Sequence, residues 1–244
     1  MNSNQLTTPA IPPRTFVIGD IHGSLTSLKL MEQFIGFKET DTIILLGDYI
    51  DRGPDSKGVL DWCIEAKKRF NLISLMGNHE LLMHEAKSDI ESYFGWIMNG
   101  GQDTLRSFGC KLNEIPEKYW DFIYNCELYY ETENFIFVHG GLEENKPLEE
   151  QIPDTACWIR FRDLKPHMSN KTIVCGHTPT KNKAPEVKPF AICLDTHVFN
   201  RNGYLTCLEL NSGEYWQTNE KGKGRKGNID MQQFFSEEEI SLQH

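Results

Sequence analysis

The sequence predicts an α/β fold in which short buried strands alternate with amphipathic helices. Runs of β-branched and aromatic residues, each about five residues long and bounded by glycine or polar residues, recur along the chain. Two of the stretches between these runs space their apolar residues at intervals close to the helical period. Strands that are separated by helices indicate sheets whose faces are mostly covered.

The predicted elements extend over most of the chain. The strands are Thr15–Gly19, Thr42–Gly47, Asn71–Gly77, Phe135–Val138, Thr172–Gly176, Phe190–Leu194, Tyr204–Leu210 and Glu214–Gln217. The helices are Leu25–Phe37 and Ser56–Phe70, with Ser24 and Asp55 as N-terminal caps. The segment 80–126 is rich in aromatic residues on further helices, which Gly100-Gly101 and Pro116 interrupt.

The composition describes an acidic protein with enough apolar residues for a core. The 244 residues include 25 Lys and Arg against 35 Asp and Glu, a formal net charge of −10, and 39 % are hydrophobic. This charge argues against nucleic acid and anionic membranes as partners. Apolar runs such as Ile43–Leu46 are far shorter than the roughly 20 residues that span a bilayer. The first 13 residues lack the pattern of a signal peptide.

We expect one domain between two terminal segments. Residues 1–13 are predicted to be a flexible arm, 14–217 the domain with a helical insertion at about 80–126, and 218–244 a C-terminal tail. The Gly/Lys/Arg cluster at 221–227 is interpreted as a flexible, solvated loop. Seven scattered cysteines without a CxxC pair predict reduced thiols, and therefore a cytoplasmic location.

Asp, Asn and His side chains follow five of the predicted strands, each next to glycine. The segments are Gly19-Asp20-Ile21-His22-Gly23, Gly47-Asp48-Tyr49-Ile50-Asp51-Arg52-Gly53, Gly77-Asn78-His79-Glu80, His139-Gly140-Gly141 and Gly176-His177-Thr178-Pro179. Ligands of open α/β sheets bind beyond the carboxyl ends of the strands. Oxygen and nitrogen donors suit Mn, Fe and Zn. Each residue alone is commonly a turn or core residue, but the repetition predicts a dinuclear metal centre.

These five segments, in this order, closely resemble the signature of the phosphoprotein phosphatase (PPP) family of metallophosphoesterases. The resemblance extends from about residue 15 to 210, and the compact chain is similar to the bacterial and phage serine/threonine phosphatases of that family. It implies a metallophosphoesterase fold. In that fold two mixed β-sheets pack as a sandwich flanked by helices, with a dinuclear metal site at the carboxyl ends of the strands.

The resemblance implies a metal ligand at each strand end. Asp20, His22 and Asp48 would hold one metal ion, and Asp48 would bridge to the second, because a carboxylate can bridge two cations. Mn is the expected metal, with Fe or Zn as alternatives. The full set of implied ligands is Asp20, His22, Asp48, Asn78, His139 and His177.

The implied reaction is hydrolysis of a phosphate monoester by a metal-bridging hydroxide that attacks phosphorus in line. His79 would protonate the leaving alkoxide, and Asp51 would orient its imidazole and favour the protonated form. Arg52 would hold phosphoryl oxygens as a bidentate donor, together with the amide of Asn78. Glu80 is expected to support the site rather than to bind metal.

Three further segments have more than one interpretation. Trp158-Ile159-Arg160-Phe161-Arg162 resembles the Trp-x-Arg segment of the family and favours Arg160 as a second phosphate-binding arginine, with Arg162 as the alternative. Asn99-Gly100-Gly101 either shapes the floor of the pocket or ends a helix. His197, where relatives often carry glycine, is expected to be a strand-end residue without a catalytic part, and a place at the rim is the alternative.

We expect a serine/threonine protein phosphatase that acts on phosphorylated proteins or on small phosphate compounds. The alternative is a symmetrical dinucleoside-tetraphosphate hydrolase of the same fold, although such relatives typically lack an aspartate at the position of Asp51. A second alternative is a non-catalytic scaffold that binds phosphoproteins, which the complete ligand set disfavours. Two divalent cations would make the site locally positive on an acidic protein.

Overall fold

Two mixed β-sheets form the centre of the fold. The computed structural model describes residues 14–235, in which the strands are β1 (Thr15–Ile18), β2 (Thr42–Leu45), β3 (Asn71–Ser74), β4 (Tyr129–Glu131), β5 (Phe135–Val138), β6 (Thr172–Cys175), β7 (Glu186–Lys188), β8 (Ala191–Cys193), β9 (Leu205–Glu209), β10 (Glu214–Thr218) and β11 (Gly224–Asn228). One sheet has the order β11-β10-β9-β1-β2-β3 and the other the order β4-β5-β6-β8-β7.

Parallel pairing brings the carboxyl ends of the central strands together. β2 is parallel to both β1 and β3, with Thr42 opposite Thr15 on one side and Asn71 on the other. In the second sheet β6 is parallel to both β5 and β8. Antiparallel strands complete both sheets. Because parallel strands end at one edge, the loops that follow them meet there.

Alternate side chains of the strands pack on opposite sides of each sheet. Val17 and Ile44 point toward the second sheet, where they share a buried cluster with Phe137 and Val174. Phe16 belongs to a different buried cluster, between the first sheet and the helices. A period of two along each strand produces this division. The predicted sandwich of two mixed sheets flanked by helices is therefore confirmed.

The helices are α1 (Leu25–Ile35), α2 (Ser56–Arg69), α3 (Asn78–Glu85), α4 (Ile90–Trp96), α5 (Gln102–Phe108), α6 (Glu117–Tyr124) and α7 (Pro153–Ala156). α1 ends where Gly36 adopts a left-handed φ of 65°. Asp55 caps α2 by accepting a 2.8 Å hydrogen bond from the amide of Gly58. Ser24 occupies the predicted N-cap position of α1, but its hydroxyl makes no capping bond and donates instead to the carbonyl of His22. Within residues 14–235, no helix is long and apolar enough to cross a bilayer.

Residues 224–227 of the Gly/Lys/Arg cluster lie in an ordered strand and 221–223 in the turn before it, so the expected flexible loop is wrong for the strand part. Gly224–Asn228 is β11 and pairs antiparallel with β10, with Lys226 opposite Trp216. The ammonium of Lys226 lies 4.8 Å from the ring centroid of Trp216 and 2.7 Å from a carboxylate oxygen of Glu214. Lysine and glycine have low strand propensity, so the sequence pattern does not predict this edge strand. The boundary placed at residue 217 stays a prediction.

Replacing either of two glycines in the helical insertion with alanine should change the stability of the protein, in opposite directions. A Cβ at Gly95, in α4, would meet nothing within 4 Å, so Gly95→Ala should stabilise the protein by about 0.5–1 kcal/mol. A Cβ at Gly101 would lie 2.4 Å from ring atoms of the buried Trp96, so Gly101→Ala should destabilise it by about 1–3 kcal/mol. Urea unfolding measures both changes, and effects of the same sign would contradict this description of the packing.

Candidate metal centre and active site

Backbone strain is concentrated in the loops that follow the parallel strands. A left-handed φ is unusual for residues other than glycine and costs of order 1–3 kcal/mol each. Such residues cluster at functional sites. At this edge they are His22 (43°), Asp48 (51°), Asp51 (69°), Arg52 (66°), His177 (61°) and His197 (66°).

Glycine precedes the donor residues because neighbouring loops approach its Cα closely. A Cβ at Gly77 would lie 2.3 Å from the amide nitrogen of Asp48, and one at Gly176 would lie 2.0 Å from Oδ1 of Asp20. Both distances are shorter than any tolerable contact, so no side chain fits at either position. Glycine is therefore required beside these donor residues because the loops pack closely against one another around the donor cluster.

The predicted donor residues lie around Asp48, and all are buried. Nε2 of His139 is 3.3 Å from Oδ1 of Asp48, and Nε2 of His22 is 3.5 Å from Oδ2. Oδ1 of Asn78 lies 2.9 Å from Nε2 of His139 and 2.8 Å from Nδ1 of His177. The structure thus brings donors that follow five separate strands into one cluster.

Asp20 joins this cluster from the loop after β1. The amide of His177 donates to both of its carboxylate oxygens at 3.1 Å. Oxygen and nitrogen atoms of Asp20, Asp48 and His139 lie within 4.8 Å of one another and could hold one cation. His22, Asp48 and His79 form a second group of the same size, which shares Asp48. The two groups divide the donors differently from the implied ligand sets, because His139 lies with Asp20 and His79 is not an implied ligand. A carboxylate common to two donor groups fits a pair of cations.

The hydrogen bonds of two histidines support the fit to divalent cations. Nδ1 of His139 lies 2.9 Å from the carbonyl of Leu46, and Nδ1 of His22 lies 3.0 Å from the carbonyl of Ile50. A carbonyl can only accept, so Nδ1 carries a proton in both rings, and Nε2 is the atom left to bind a cation. Metal-binding histidines have this arrangement. The donor separations also match ligands placed about 2.0–2.2 Å from one ion.

The protonation of the cluster depends on burial and on its own charges. Burial lowers the pKa of His22 well below its usual range, and burial together with the charge of His139 lowers the pKa of His177 to about 3. Burial opposes protonation of His139 as well, but the charge of Asp48 prevails and raises the pKa of His139 to about 10. A cation competes with that proton for the same lone pair, so acid should weaken its binding.

His79 and Asp51 form a buried pair beside the donor cluster. Oδ2 of Asp51 lies 2.7 Å from Nδ1 of His79 and accepts a 2.9 Å bond from the indole N–H of Trp96. Its Oδ1 accepts a 2.6 Å bond from the hydroxyl of Thr104. Burial alone would lower the pKa of His79, but the charge of Asp48 and the bond to Asp51 raise it. The imidazole is therefore held with Nδ1 on Asp51 and Nε2 free to donate.

A cavity of about 340 Å³ opens over the cluster, with Arg52, His79 and Arg160 among its lining residues. Its size lies within the range of small-molecule sites. Arg162 instead pairs with Asp163 at 3.3 Å, and its side chain is 78 % exposed. Of the two arginines that the sequence leaves open, the structure places Arg160 at the cavity.

Arg52 is held by the segment Asn99-Gly100-Gly101, part of a π-helical turn between α4 and α5. The amide of Arg52 donates to the carbonyl of Gly100, and Nε donates to that of Asn99, both at 3.4 Å. Gly100 has a φ of 112°, and a Cβ there would lie 2.7 Å from Cγ of Arg52. The segment has both predicted roles, because Gly100 interrupts the helical geometry between α4 and α5 while the carbonyls of Asn99 and Gly100 support Arg52.

Glu80 supports the loop of Asp48 rather than the metal. Its Oε2 accepts from the amides of Asp48 at 2.9 Å and Gly77 at 3.1 Å. Its Oε1 accepts from the amides of Tyr49 at 2.8 Å and Ile50 at 3.4 Å. Burial and the charge of Asp48 raise the pKa of Glu80 to about 7. Four backbone donors thus converge on one buried side chain.

We expect Glu80→Gln to destabilise the protein by about 1.5–3 kcal/mol, because the new amide group would face backbone N–H donors and leave them without an acceptor. Urea unfolding of the metal-free protein measures this change. Glu85→Gln, at an exposed position of the same helix, is the matched control and should have almost no effect. Equal stability of the two variants would contradict the role of Glu80.

Some residues of the site escaped sequence reasoning. Trp96 and Thr104 bind Asp51 from 45 and 53 residues away, and both lie in the helical insertion. Phe199 packs edge-on against His22, with ring centroids 4.9 Å apart, and lies under the guanidinium of Arg52 at 4.9 Å. An aromatic residue in a loop or helix gives no signal of such a contact, so only the structure could reveal it.

Two mixed sheets with a cluster of oxygen and nitrogen donors beyond their parallel strands have the architecture of the metallophosphoesterase fold. The family model described as calcineurin-like phosphoesterase matches residues 13–208. That match covers well over half of the sequence, so the chain belongs to the calcineurin-like phosphoesterase family.

The relatives include both phosphatases and tetraphosphatases. Serine/threonine-protein phosphatase 1 of Salmonella typhimurium is 36 % identical over 87 residues, which cover 35 % of this chain and 38 % of that protein. A symmetrical bis(5'-nucleosyl)-tetraphosphatase of Nitrosomonas europaea is 29 % identical over 140 residues, 56 % of this chain and 47 % of that protein. Several further matches are also tetraphosphatases. The chain spans less than half the length of these two curated relatives.

A solved structure supports the fold. The protein serine/threonine phosphatase of Saccharomyces cerevisiae superposes with a TM-score of 0.60 at 14 % identity, covering 82 % of this chain and 73 % of that one. A sequence identity of 14 % is evidence for a shared fold and for nothing else. Together with the family match and the Salmonella relative, it confirms the resemblance to PPP-type metallophosphoesterases.

Proposed function

We propose that this protein is a metal-dependent phosphomonoesterase that acts on phosphoserine or phosphothreonine in proteins. The buried pair of Asp51 and His79 carries this proposal, because it places a proton donor at the edge of the donor cluster. The 2.7 Å bond to Asp51 keeps Nε2 of His79 directed away from Asp51. The same imidazole reaches to within 4.0 Å of Asp48, so the donated proton would be released close to the metal site.

The donor cluster would hold two divalent cations, most suitably Mn, through Asp20, His22, Asp48, Asn78, His139 and His177. When bound, such ions lower the pKa of water and neutralise phosphoryl oxygens. Asp48 lies between the two donor groups, so it is the ligand that both cations would share. The role of each ligand is part of this proposal.

The chain's own residues then bind and protonate the substrate. Arg52 and Arg160 line the cavity and would bind phosphoryl oxygens, since guanidinium groups make bidentate bonds to phosphate. His79 would donate the proton on Nε2 to the leaving oxygen, and Asp51 would stabilise the imidazolium before that transfer. When Asp48 is engaged by cations, Asp51 remains the anionic partner of His79.

The identity of the leaving group connects this pair with protein substrates. The alkoxide of serine or threonine is strongly basic, so its departure requires a proton from an acid. A nucleoside diphosphate, which leaves when a dinucleoside tetraphosphate is cleaved symmetrically, is much less basic and depends less on an acid. A buried, anion-supported histidine is therefore of most use with an alkyl phosphate.

A symmetrical dinucleoside-tetraphosphatase is the second candidate, favoured by the Nitrosomonas europaea relative, whose match covers more of this chain than that of the Salmonella phosphatase. The metal site would serve both reactions, because each one transfers a phosphoryl group to water. The two candidates differ in the leaving group and in the rim that must bind the rest of the substrate.

The test compares kcat/KM of the Mn-loaded protein for a phosphoserine peptide and for diadenosine tetraphosphate. We expect the peptide to be preferred by about tenfold or more, a difference that leaving-group and rim contacts can provide. A preference for diadenosine tetraphosphate of the same size would overturn the proposed substrate class and support the second candidate.

A further inference from the structure

His197 enters the catalytic cavity on a strained backbone. It follows β8 with a φ of 66°, and its amide donates a 2.8 Å bond to Oδ1 of Asp195. The side chain lines the same cavity as Arg52 and His79. Glycine would adopt this conformation without strain, so a histidine here is retained at a cost. Strained residues in a functional cavity suggest a role for the side chain.

Two residues fix the orientation of the His197 ring. Nζ of Lys183 lies 2.9 Å from Nδ1, and the ring of Phe199 packs against the imidazole with centroids 4.6 Å apart. Lys183 is itself anchored, because its carbonyl accepts a 3.0 Å bond from Gln217 in β10 and a further bond from Arg225 in β11. The edge hairpin of the first sheet thereby supports a side chain in the cavity.

The bond from Lys183 determines which ring nitrogen carries the proton. An ammonium group can only donate, so Nδ1 of His197 accepts and the proton lies on Nε2. Burial and the positive charges of Lys183 and Arg52 also lower the pKa of His197, which keeps the ring neutral. Among residues 14–235, no group forms a hydrogen bond with Nε2. The ring thus offers one unused N–H donor.

The surroundings of this donor favour an anionic oxygen. Arg52 and His197 both contact Phe199, with the guanidinium carbon of Arg52 4.9 Å from the phenyl centroid. Lys183 adds a second positive charge behind the ring. A donor on a ring that feels two positive charges attracts an oxyanion and repels a cation.

We propose that His197 is a substrate-binding residue whose Nε2–H donates to a phosphoryl oxygen beside Arg52, with Lys183 and Phe199 as its positioning residues. The inference deepens the proposed function and rests on it. It adopts the alternative interpretation of His197 as a residue at the rim of the site, which its place in the cavity lining favours. The neutral ring acts as a fixed hydrogen-bond donor and not as a second acid.

The test measures the Kd of inorganic phosphate by calorimetry on Mn-loaded protein, without turnover, for the wild type and for His197→Gly. Glycine suits the left-handed backbone, so the melting temperature of the variant should not fall. We expect phosphate binding to weaken about tenfold or more, the usual effect of losing a hydrogen bond to a charged group. We expect KM for an aryl phosphate to rise more than kcat falls.

A charge-matched pair of variants separates orientation from simple attraction. Lys183→Met removes the partner of Nδ1, whereas Lys181→Met removes the same charge from an exposed position nearby. We expect only the first to weaken phosphate binding clearly, by about threefold or more, as expected for a lost hydrogen bond. Equal small effects of both would contradict the positioning role of Lys183.

The assignment of His197 is overturned if a folded His197→Gly protein binds phosphate within about twofold of the wild type. A raised KM with unchanged phosphate affinity would also overturn it, because the ring would then contact the leaving group. Wild-type protein that prefers diadenosine tetraphosphate, while His197→Gly still loses phosphate affinity, would refute the proposed substrate and leave this binding residue supported.

Discussion

Replacing His79 with asparagine is expected to slow the hydrolysis of a phosphoserine peptide by about 10²–10⁴-fold, the usual contribution of a general acid. The loss should be much smaller for p-nitrophenyl phosphate, whose leaving group departs without a proton. Initial rates of the Mn-loaded variant on both substrates measure the difference. Asp51→Asn should show the same pattern in weaker form, because it removes the anion that holds Nδ1 of His79 at 2.7 Å.

His84→Asn is the matched control for this experiment. His84 lies on the same helix as His79 but is exposed, and it is not among the residues that line the cavity. We expect its rates to equal those of the wild type on both substrates. Equal losses of His79→Asn on the peptide and on the aryl phosphate would show that the residue does not protonate the leaving group.

Asp48→Asn should have the largest effect on the metal centre. Asp48 belongs to both donor groups, and an amide oxygen carries no charge and bridges two cations poorly. Losing even an outer partner of a metal ligand costs about 10–100-fold in metal affinity or activity, so a shared ligand should cost more than about 100-fold. Metal content per chain after gel filtration, together with the rate on an aryl phosphate, measures this loss.

Asp121→Asn makes the same change of charge on an exposed face of α6. We expect it to retain both metal and activity. The account of the shared ligand would be wrong if Asp48→Asn kept its full metal content. Loss of metal only together with unfolding would also contradict it, so circular dichroism of both variants accompanies the measurement.

Most of the strands that the sequence predicts are buried on both faces. Segments such as Thr42–Leu45 are nearly continuous apolar runs, because one set of their side chains contacts the helices and the other contacts the second sheet. β4, β7 and β11 lack this signature, since most of their residues are at least partly exposed. These strands form because they pair with a neighbouring strand, and the local sequence pattern contains no information about that pairing.

The donor cluster was predictable for a related reason. Parallel strands deliver the residues that follow them to one edge, so five glycine–donor segments in the sequence imply one site. The residues that hold the donor and cavity residues in place could not be predicted in the same way. Trp96, Thr104 and Phe199 reach Asp51, His22 and Arg52 across long stretches of chain.

His197 shows the limit of reasoning from a single position. Taken alone, a histidine after a strand is most often an ordinary surface or core residue. The bond from Lys183 that orients its ring is supported by the β10–β11 hairpin, and the sequence pattern predicts a flexible loop in place of β11. Because the sequence does not predict β11, it does not reveal that the hairpin helps to hold His197 in place.

The most direct test of the account is a titration of Mn²⁺ into chelator-treated wild-type protein, with bound metal and aryl phosphatase activity followed together. The donor groups that share Asp48 predict two ions per chain, with activity rising as the second site fills. A single ion per chain at full activity, or activity without bound metal, would contradict a dinuclear centre and the mechanism built on it.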